Sequence, residues 1–199
     1  MSETELTSAL VILFAAIFTN NIVLTNFLGL CSFLSVSREI KSSAGLGAAV
    51  AFVTTFTAAI NWLIYHHLLV PLDLVYLRFV IFIVIIAGFV QFAEMVIERI
   101  APALYHALGI FLPLITVNCA VLGISLFMVI REYGFLETVA YGMGGGLGFL
   151  VGIVLLAALR WRIRRSKVPE PLQGAGIAVI LTGIMALALV GFSGMVTIN

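Results

Sequence analysis

Six runs of apolar residues, each long enough to cross a bilayer as a helix, divide this chain and leave little room for another architecture. A hydrocarbon core about 30 Å thick needs about 20 apolar residues per helix. The runs fall at about 6–36, 44–69, 76–97, 103–130, 135–159 and 172–196. Between them lie charges and turn formers such as Arg38-Glu39, Pro71 with Asp73, Glu98-Arg99 with Pro102, and Tyr133-Gly134. Composition agrees: 63% of the 199 residues are hydrophobic, 10% are charged, and the mean hydropathy is +1.24. Soluble chains carry roughly 25% charged residues, so a soluble fold could not cover this much apolar surface. The runs lack the ~10-residue alternation of a transmembrane β-barrel. The expectation is an all-α integral membrane protein, with one membrane domain over 1–199. The net charge of +1 gives no reason to expect nucleic acid. The opening Met1-Ser2-Glu3-Thr4-Glu5 is acidic, whereas a secretory leader opens with basic residues. The first apolar run is therefore expected to be retained.

Lysine and arginine set the expected orientation. Arg38, Lys41, Arg99, Arg160, Arg162, Arg164, Arg165 and Lys167 follow the first, third and fifth runs. The opposite side holds only Arg78, at the start of the third run, and Arg131, after the fourth, a split of 8 to 2. The richer side faces the cytoplasm, and six helices return both termini to the other side.

The chain also resembles itself. Gly45-Leu46-Gly47-Ala48-Ala49-Val50-Ala51-Phe52 opens the second run, and Gly142-Met143-Gly144-Gly145-Gly146-Leu147-Gly148-Phe149 lies near the start of the fifth. Each follows a run holding an Asn and a Cys: Asn26 and Cys31 in the first, Asn118 and Cys119 in the fourth. The unit is three helices, about 1–100 and about 101–199. An odd number inserts the second copy upside down, an architecture whose site tends to lie at the midplane on discontinuous helices. The first and fourth runs fit that description. The first has about 31 residues, with Asn20-Asn21 and Thr25-Asn26 inside it. The fourth contains Gly109, Pro113, Thr116, Asn118 and Gly123. A tilted helix and an ordinary proline kink would suit the same residues.

The two cysteines, Cys31 and Cys119, are the only ones in the chain and stand 88 positions apart. Three readings compete. Thiols in membrane helices often act as small apolar groups. A disulfide needs close approach. Soft thiolates also suit iron–sulfur or zinc, but an iron–sulfur cluster takes four ligands, so a second chain would have to supply two. Asn26 and Asn118 could hydrogen-bond to freed backbone or to a sulfur, or simply join helices. Glu94 is the acid nearest a membrane interior, five residues from Arg99, and reads as interfacial. The glycine run 142–148 has no strand before it and reads as close helix packing. The basic run after the fifth segment reads as a topology anchor that could also meet a cytoplasmic partner or anionic lipid.

At two stretches the chain resembles a known family. Asn20-Asn21-Ile22-Val23-Leu24-Thr25-Asn26-Phe27-Leu28-Gly29-Leu30-Cys31 is one. Leu108-Gly109-Ile110-Phe111-Leu112-Pro113-Leu114-Ile115-Thr116-Val117-Asn118-Cys119-Ala120-Val121-Leu122-Gly123 is the other and more specific. They resemble the A-type membrane subunits of the Rnf electron-transport complex. They are also similar to the E-type subunits of the sodium-pumping NADH:quinone oxidoreductase, Nqr. The likeness spans essentially the whole chain. Asn20-Asn21 before Leu28-Gly29-Leu30-Cys31 favours Rnf. Ser32, where many Rnf subunits have Pro, and Arg131-Glu132-Tyr133 lean towards Nqr.

The resemblance implies two inverted three-helix repeats, with helices one and four discontinuous. It implies a homologous six-helix partner of opposite orientation and further Rnf subunits. Each of the pair would give two cysteines to one intramembrane [2Fe–2S] cluster, here Cys31 and Cys119, with Asn26 and Asn118 as neighbouring candidates. No flavin is expected on this chain. The location implied is the bacterial inner membrane, with both termini periplasmic. The activity implied is electron transfer between ferredoxin and NAD, coupled to Na⁺ or H⁺ transport, with this chain not catalytic alone. A small secondary transporter would also suit inverted repeats and broken helices, and a purely structural role would leave both cysteines replaceable.

Overall fold

The computed structural model describes residues 3–100, 112–164 and 173–191, and every regular element among them is helical. The first apolar run is not one helix but three: α1 (Glu3–Ile17), α2 (Ile22–Asn26) and α3 (Leu30–Val36). α4 (Ile40–Ile64) continues into a π turn over Tyr65–Leu69. A 3-10 turn at Val75–Leu77 leads into α5 (Arg78–Ile100). α6 (Leu112–Thr116) and α7 (Cys119–Ile130) divide the described part of the fourth run. α8 (Phe135–Ile163) and α9 (Ala175–Val190) complete the order.

Three stretches are long and apolar enough to cross a membrane: Ile40–Leu69, Val75–Val96 and Phe135–Ile163. Three shorter apolar helices are Thr7–Ile17, Leu114–Ile130 and Ala175–Leu189. Gly109, Arg165, Lys167 and the far end of the sixth run lie outside the described residues.

Several helices overrun the expected apolar limits. α4 begins at Ile40, four residues early, because the Ser43 hydroxyl donates to the Glu39 and Val36 carbonyls and helps close its first turn. α8 runs on to Ile163 through Arg160 and Arg162. Long basic side chains can lie along a helix and keep their charge in water, and positive charge in a last turn suits the helix dipole. Hydropathy therefore marks where the apolar stretch stops, not where the helix does.

α8 is the centre of the molecule. Its glycines divide between two neighbours: Gly142 and Gly146 face α4, while Gly144 and Gly148 face α1. A Cβ on Gly142 would lie 2.9 Å from the Ala58 Cβ, and one on Gly144 would lie 2.7 Å from the Leu13 carbonyl. In lipid no hydrophobic force pulls helices together, so contact at backbone range supplies the attraction. α4 runs antiparallel to α8, with Gly47 against Leu150 at one end and Ala58 against Gly142 towards the other. α5 is peripheral: 17% of its most apolar window is buried, against 56% for α8.

Polar contacts tie both ends. At one end the Trp62 indole donates to the Tyr133 carbonyl at 2.9 Å, and Ser8 donates to Glu137 at 2.6 Å. Arg131 lies beside the Tyr133 and Tyr141 rings. Burial works against its charge, but a hydrogen bond to the Tyr133 hydroxyl and the two tyrosines hold its pKa above the ordinary value. At the other end Arg160 reaches the Leu34 carbonyl and the Ser37 hydroxyl.

Candidate functional site

The chain breaks where side chains can replace a turn of helix. Asn21 has extended backbone and caps α2, its side-chain oxygen accepting from the Val23 N–H at 3.1 Å. Asn118 does the same for α7, accepting from the Ala120 N–H at 3.0 Å. Asparagine favours this position because its amide satisfies one of the orphan donors of a first turn. Between α2 and α3, Phe27 and Gly29 adopt positive φ, 56° and 85°. The second of these suits glycine, which lacks the Cβ that makes left-handed backbone costly.

The breaks of the two halves meet. The Gly29 N–H donates to the Cys119 Sγ at 2.9 Å, across 90 positions of sequence. The Asn118 side chain donates to the Ser32 hydroxyl at 3.1 Å, and that hydroxyl donates to the Gly29 carbonyl at 3.1 Å. Ser32 is fully buried. A ring of contacts therefore joins Gly29, Ser32, Asn118 and Cys119, with Cys31 beside Ser32 in the chain.

This junction lies against the middle of α8. Residue 149 is the midpoint of that helix. The Asn21 amide donates to the Gly148 carbonyl at 2.8 Å, and Phe33 meets Phe149 edge-on at 5.9 Å between ring centroids.

Cys31 and Cys119 are free thiols, so the disulfide reading finds no support here. Both are exposed, and both stand at the start of a helix that follows a break, Cys31 second in α3 and Cys119 first in α7. Their exposed neighbours are Thr25, Asn26 and Phe27 on one break and Val117, 75% exposed, on the other. A polar and thiol-bearing face of this kind is costly against lipid, because hydrocarbon offers Asn26 no hydrogen-bond partner. The face is suited to a protein neighbour.

The two asparagines singled out from the sequence have different places. Asn118 is buried in the junction and serves the backbone and Ser32. Asn26 is exposed at the end of α2. The residue that matches Asn118 as a cap is Asn21, which sequence reasoning does not single out as a site residue, nor Gly29 and Ser32 with it. The signal for Asn21 is present in Asn20-Asn21 inside an apolar run, but nothing in the sequence distinguishes a cap from an exposed amide.

Cys31 and Cys119 are both exposed free thiols, the soft donor type that suits iron–sulfur or zinc, and an iron–sulfur cluster takes four such ligands. Among the described residues no three His, Cys, Asp or Glu gather as a metal site. The donor set fits an iron–sulfur group only if further ligands approach from outside.

The sequence profile described as "Rnf-Nqr subunit, membrane protein" matches residues 9–196. The chain is 49% identical over 184 residues to the A subunit of the Na(+)-translocating ferredoxin:NAD(+) oxidoreductase complex of Acetobacterium woodii, covering 92% of this chain and 96% of that one. It is 45% identical over 191 residues to the A subunit of the proton-translocating ferredoxin:NAD(+) oxidoreductase complex of Clostridium ljungdahlii, covering 96% and 99%. It is 50% identical over 192 residues to the A subunit of the ion-translocating oxidoreductase complex of Pseudomonas paraeruginosa, again covering 96% and 99%.

Proposed function

Because the chain belongs to the Rnf-Nqr family of membrane subunits, we propose that it is the A subunit of an ion-translocating ferredoxin:NAD⁺ oxidoreductase. In this reading Cys31 and Cys119 are two of the four ligands of an intramembrane [2Fe–2S] cluster. A homologous six-helix subunit of opposite orientation supplies the other two. This chain then consists of two inverted three-helix repeats in the bacterial inner membrane, with both termini periplasmic, and is not catalytic alone.

The observation that carries the reading is the hydrogen bond from the Gly29 N–H to the Cys119 Sγ. It draws the break that holds one cysteine against the break that holds the other. The glycine φ of 85° and the close fit of Gly29 to Asn118 hold that N–H in place before any metal binds. A [2Fe–2S] group supplies one-electron transfer when bound. The protein's part is to hold two sulfurs at fixed positions, to donate a hydrogen bond that favours added negative charge on sulfur, and to exclude water. Buried Phe149 packs beside Gly29, with buried Phe33 edge-on against it, on the inner side of the junction.

Relatives are named for sodium, for protons and for ions without distinction. The proposal is ion transport coupled to electron flow, with the ion left as Na⁺ or H⁺. The equivalent Nqr subunit would use the same donors. Broken helices would also serve a secondary transporter, but these relatives are named as parts of oxidoreductase complexes.

The test is iron and acid-labile sulfide in the purified intact complex, with Cys31→Ala and Cys119→Ala measured separately. Each variant should lose two irons per complex and the corresponding reduced-state EPR signal, while the other subunits still assemble. Full retention of both signals in both variants would show that these thiols are not ligands.

A further inference from the structure

A second built feature lies away from the cysteines, where the end of α8 meets the α3–α4 turn and the start of α9. A cavity of about 370 Å³ opens there, and Arg38, Arg160 and Arg164 all line it. Arg160 is fixed in position: its Nη1 donates to the Leu34 carbonyl at 2.9 Å and to the Ser37 hydroxyl at 2.7 Å, and its Nη2 reaches the Gly174 carbonyl at 3.5 Å. Arg164 donates to the Arg38 carbonyl at 3.3 Å. All of these acceptors are neutral. Three guanidinium groups therefore share one cavity, and these contacts do nothing to offset their mutual repulsion. An arrangement of this kind is stable when an anion joins it, and guanidinium forks suit phosphate oxygens.

The remaining wall points to the kind of phosphate. Gln173 and Gly174 line the mouth with the arginines, and Ile163 and Ile177 supply the apolar part of the lining. From Ile177 an apolar stripe continues along one face of α9 through Ile180, Ile184 and Leu187, which are 45%, 58% and 75% exposed. These positions recur at helical spacing, so they form one track leading from the cavity towards the bilayer interior. A soluble phosphate would use only the arginines. A phospholipid would use both parts, with its headgroup among the arginines and an acyl chain on the stripe.

We propose that this cavity binds the phosphate headgroup of an anionic phospholipid, with one acyl chain lying along Ile177, Ile180, Ile184 and Leu187. The site is separate from the cysteine junction and needs only that the chain be membrane-embedded. It gives α9 a second attachment to the end of α8, through a lipid that bridges Arg38, Arg164 and the α9 surface.

The probe is phosphatidylglycerol carrying a diazirine in one acyl chain, added to the intact complex in phosphatidylcholine nanodiscs. After illumination, adducts should map to residues 177–187. Unlabelled phosphatidylglycerol should displace them, and phosphatidylcholine or inorganic phosphate should not. Arg38→Gln and Arg164→Gln should each lower labelling about fivefold, the effect of removing one basic residue from an anionic membrane surface. Arg162→Gln removes the same charge from the same helix but does not line the cavity, so its labelling should be unchanged. Equal loss with Arg162→Gln would reduce the effect to diffuse surface charge and overturn the site. Displacement by inorganic phosphate would make it a soluble-anion site and overturn the lipid assignment. Labelling insensitive to all three substitutions would also overturn it.

Discussion

Gly29 and Asn118 approach so closely that a Cβ built on Gly29 would lie 2.9 Å from the Asn118 Oδ1. The same oxygen caps α7 through the Ala120 N–H, and the Gly29 N–H faces Cys119. One glycine thus supports both the cap and the sulfur contact.

Gly29→Ala should therefore disturb the junction twice, through its φ of 85° and through the crowded Oδ1. Left-handed backbone with a Cβ costs about 1–3 kcal/mol where the surroundings enforce it. The expected outcome is an assembled complex with reduced iron at this site and a shifted reduction potential in the fraction that remains. Gly183→Ala is the control, because a Cβ there meets nothing within 4 Å. Equal iron content and potential in both variants would count against the role given to Gly29.

At Asn21 the closest isostere should be the worse replacement. Its amide nitrogen donates to the Ile17 and Gly148 carbonyls, and its oxygen accepts from the Val23 N–H. Asn21→Ala loses these bonds and should cost about 1–3 kcal/mol. Asn21→Asp keeps the shape but turns an acceptor towards two carbonyls in a buried place, and burying an unpaired charge or forcing its protonation costs more. Thermal unfolding of the complex should rank the midpoints wild type, then alanine, then aspartate. If aspartate is the milder change, the amide donation does not hold the break.

The basic split of 8 to 2 predicts topology. Reporter fusions at Ser166 and Asn199 should read opposite compartments, with Ser166 cytoplasmic. The same compartment at both sites would rule out six crossings.

Two thiols do not complete a four-thiolate cluster, which leads to a prediction about partners. A homodimer could supply four only if two copies inserted in opposite directions, and the basic asymmetry prevents dual insertion. The chain expressed alone should hold little or no iron, and co-expression with a homologous subunit of opposite charge bias should restore it. The comparison is iron per protein and the reduced-state EPR signal. A stoichiometric cluster in the monodisperse lone chain would exclude a shared site.

The helices are readable in the sequence because the physics that places them is local. Apolar length identifies the α4, α5 and α8 regions, and the glycine run at 142–148 identifies the tightest packing. The breaks are half readable. An asparagine pair inside an apolar run signals irregular backbone, but whether Asn21 or Asn26 turns inward depends on φ and ψ and on the Gly148 carbonyl, 127 positions away. Sequence comparison of the halves pairs Asn26 with Asn118, whereas cap geometry pairs Asn21 with Asn118. The Gly29–Cys119 contact is not readable at all, since neither residue carries any mark of the other. Ser32 illustrates the same point: nothing beside it in the chain marks it, yet its hydroxyl links the Asn118 side chain to the Gly29 carbonyl.

The glycines of α8 also decide what in this molecule is able to move. With Gly142 and Gly146 in backbone contact with α4, and Gly144 and Gly148 in backbone contact with α1, no slack exists for one of these helices to slide past another. Close-packed interiors transmit displacement instead of absorbing it. α1, α4 and α8 therefore travel as a single rigid wedge. Relative motion is expected at the edges of this wedge, where α5 is the least buried of the long helices and α9 leans on α2 and α3 as well as on α8.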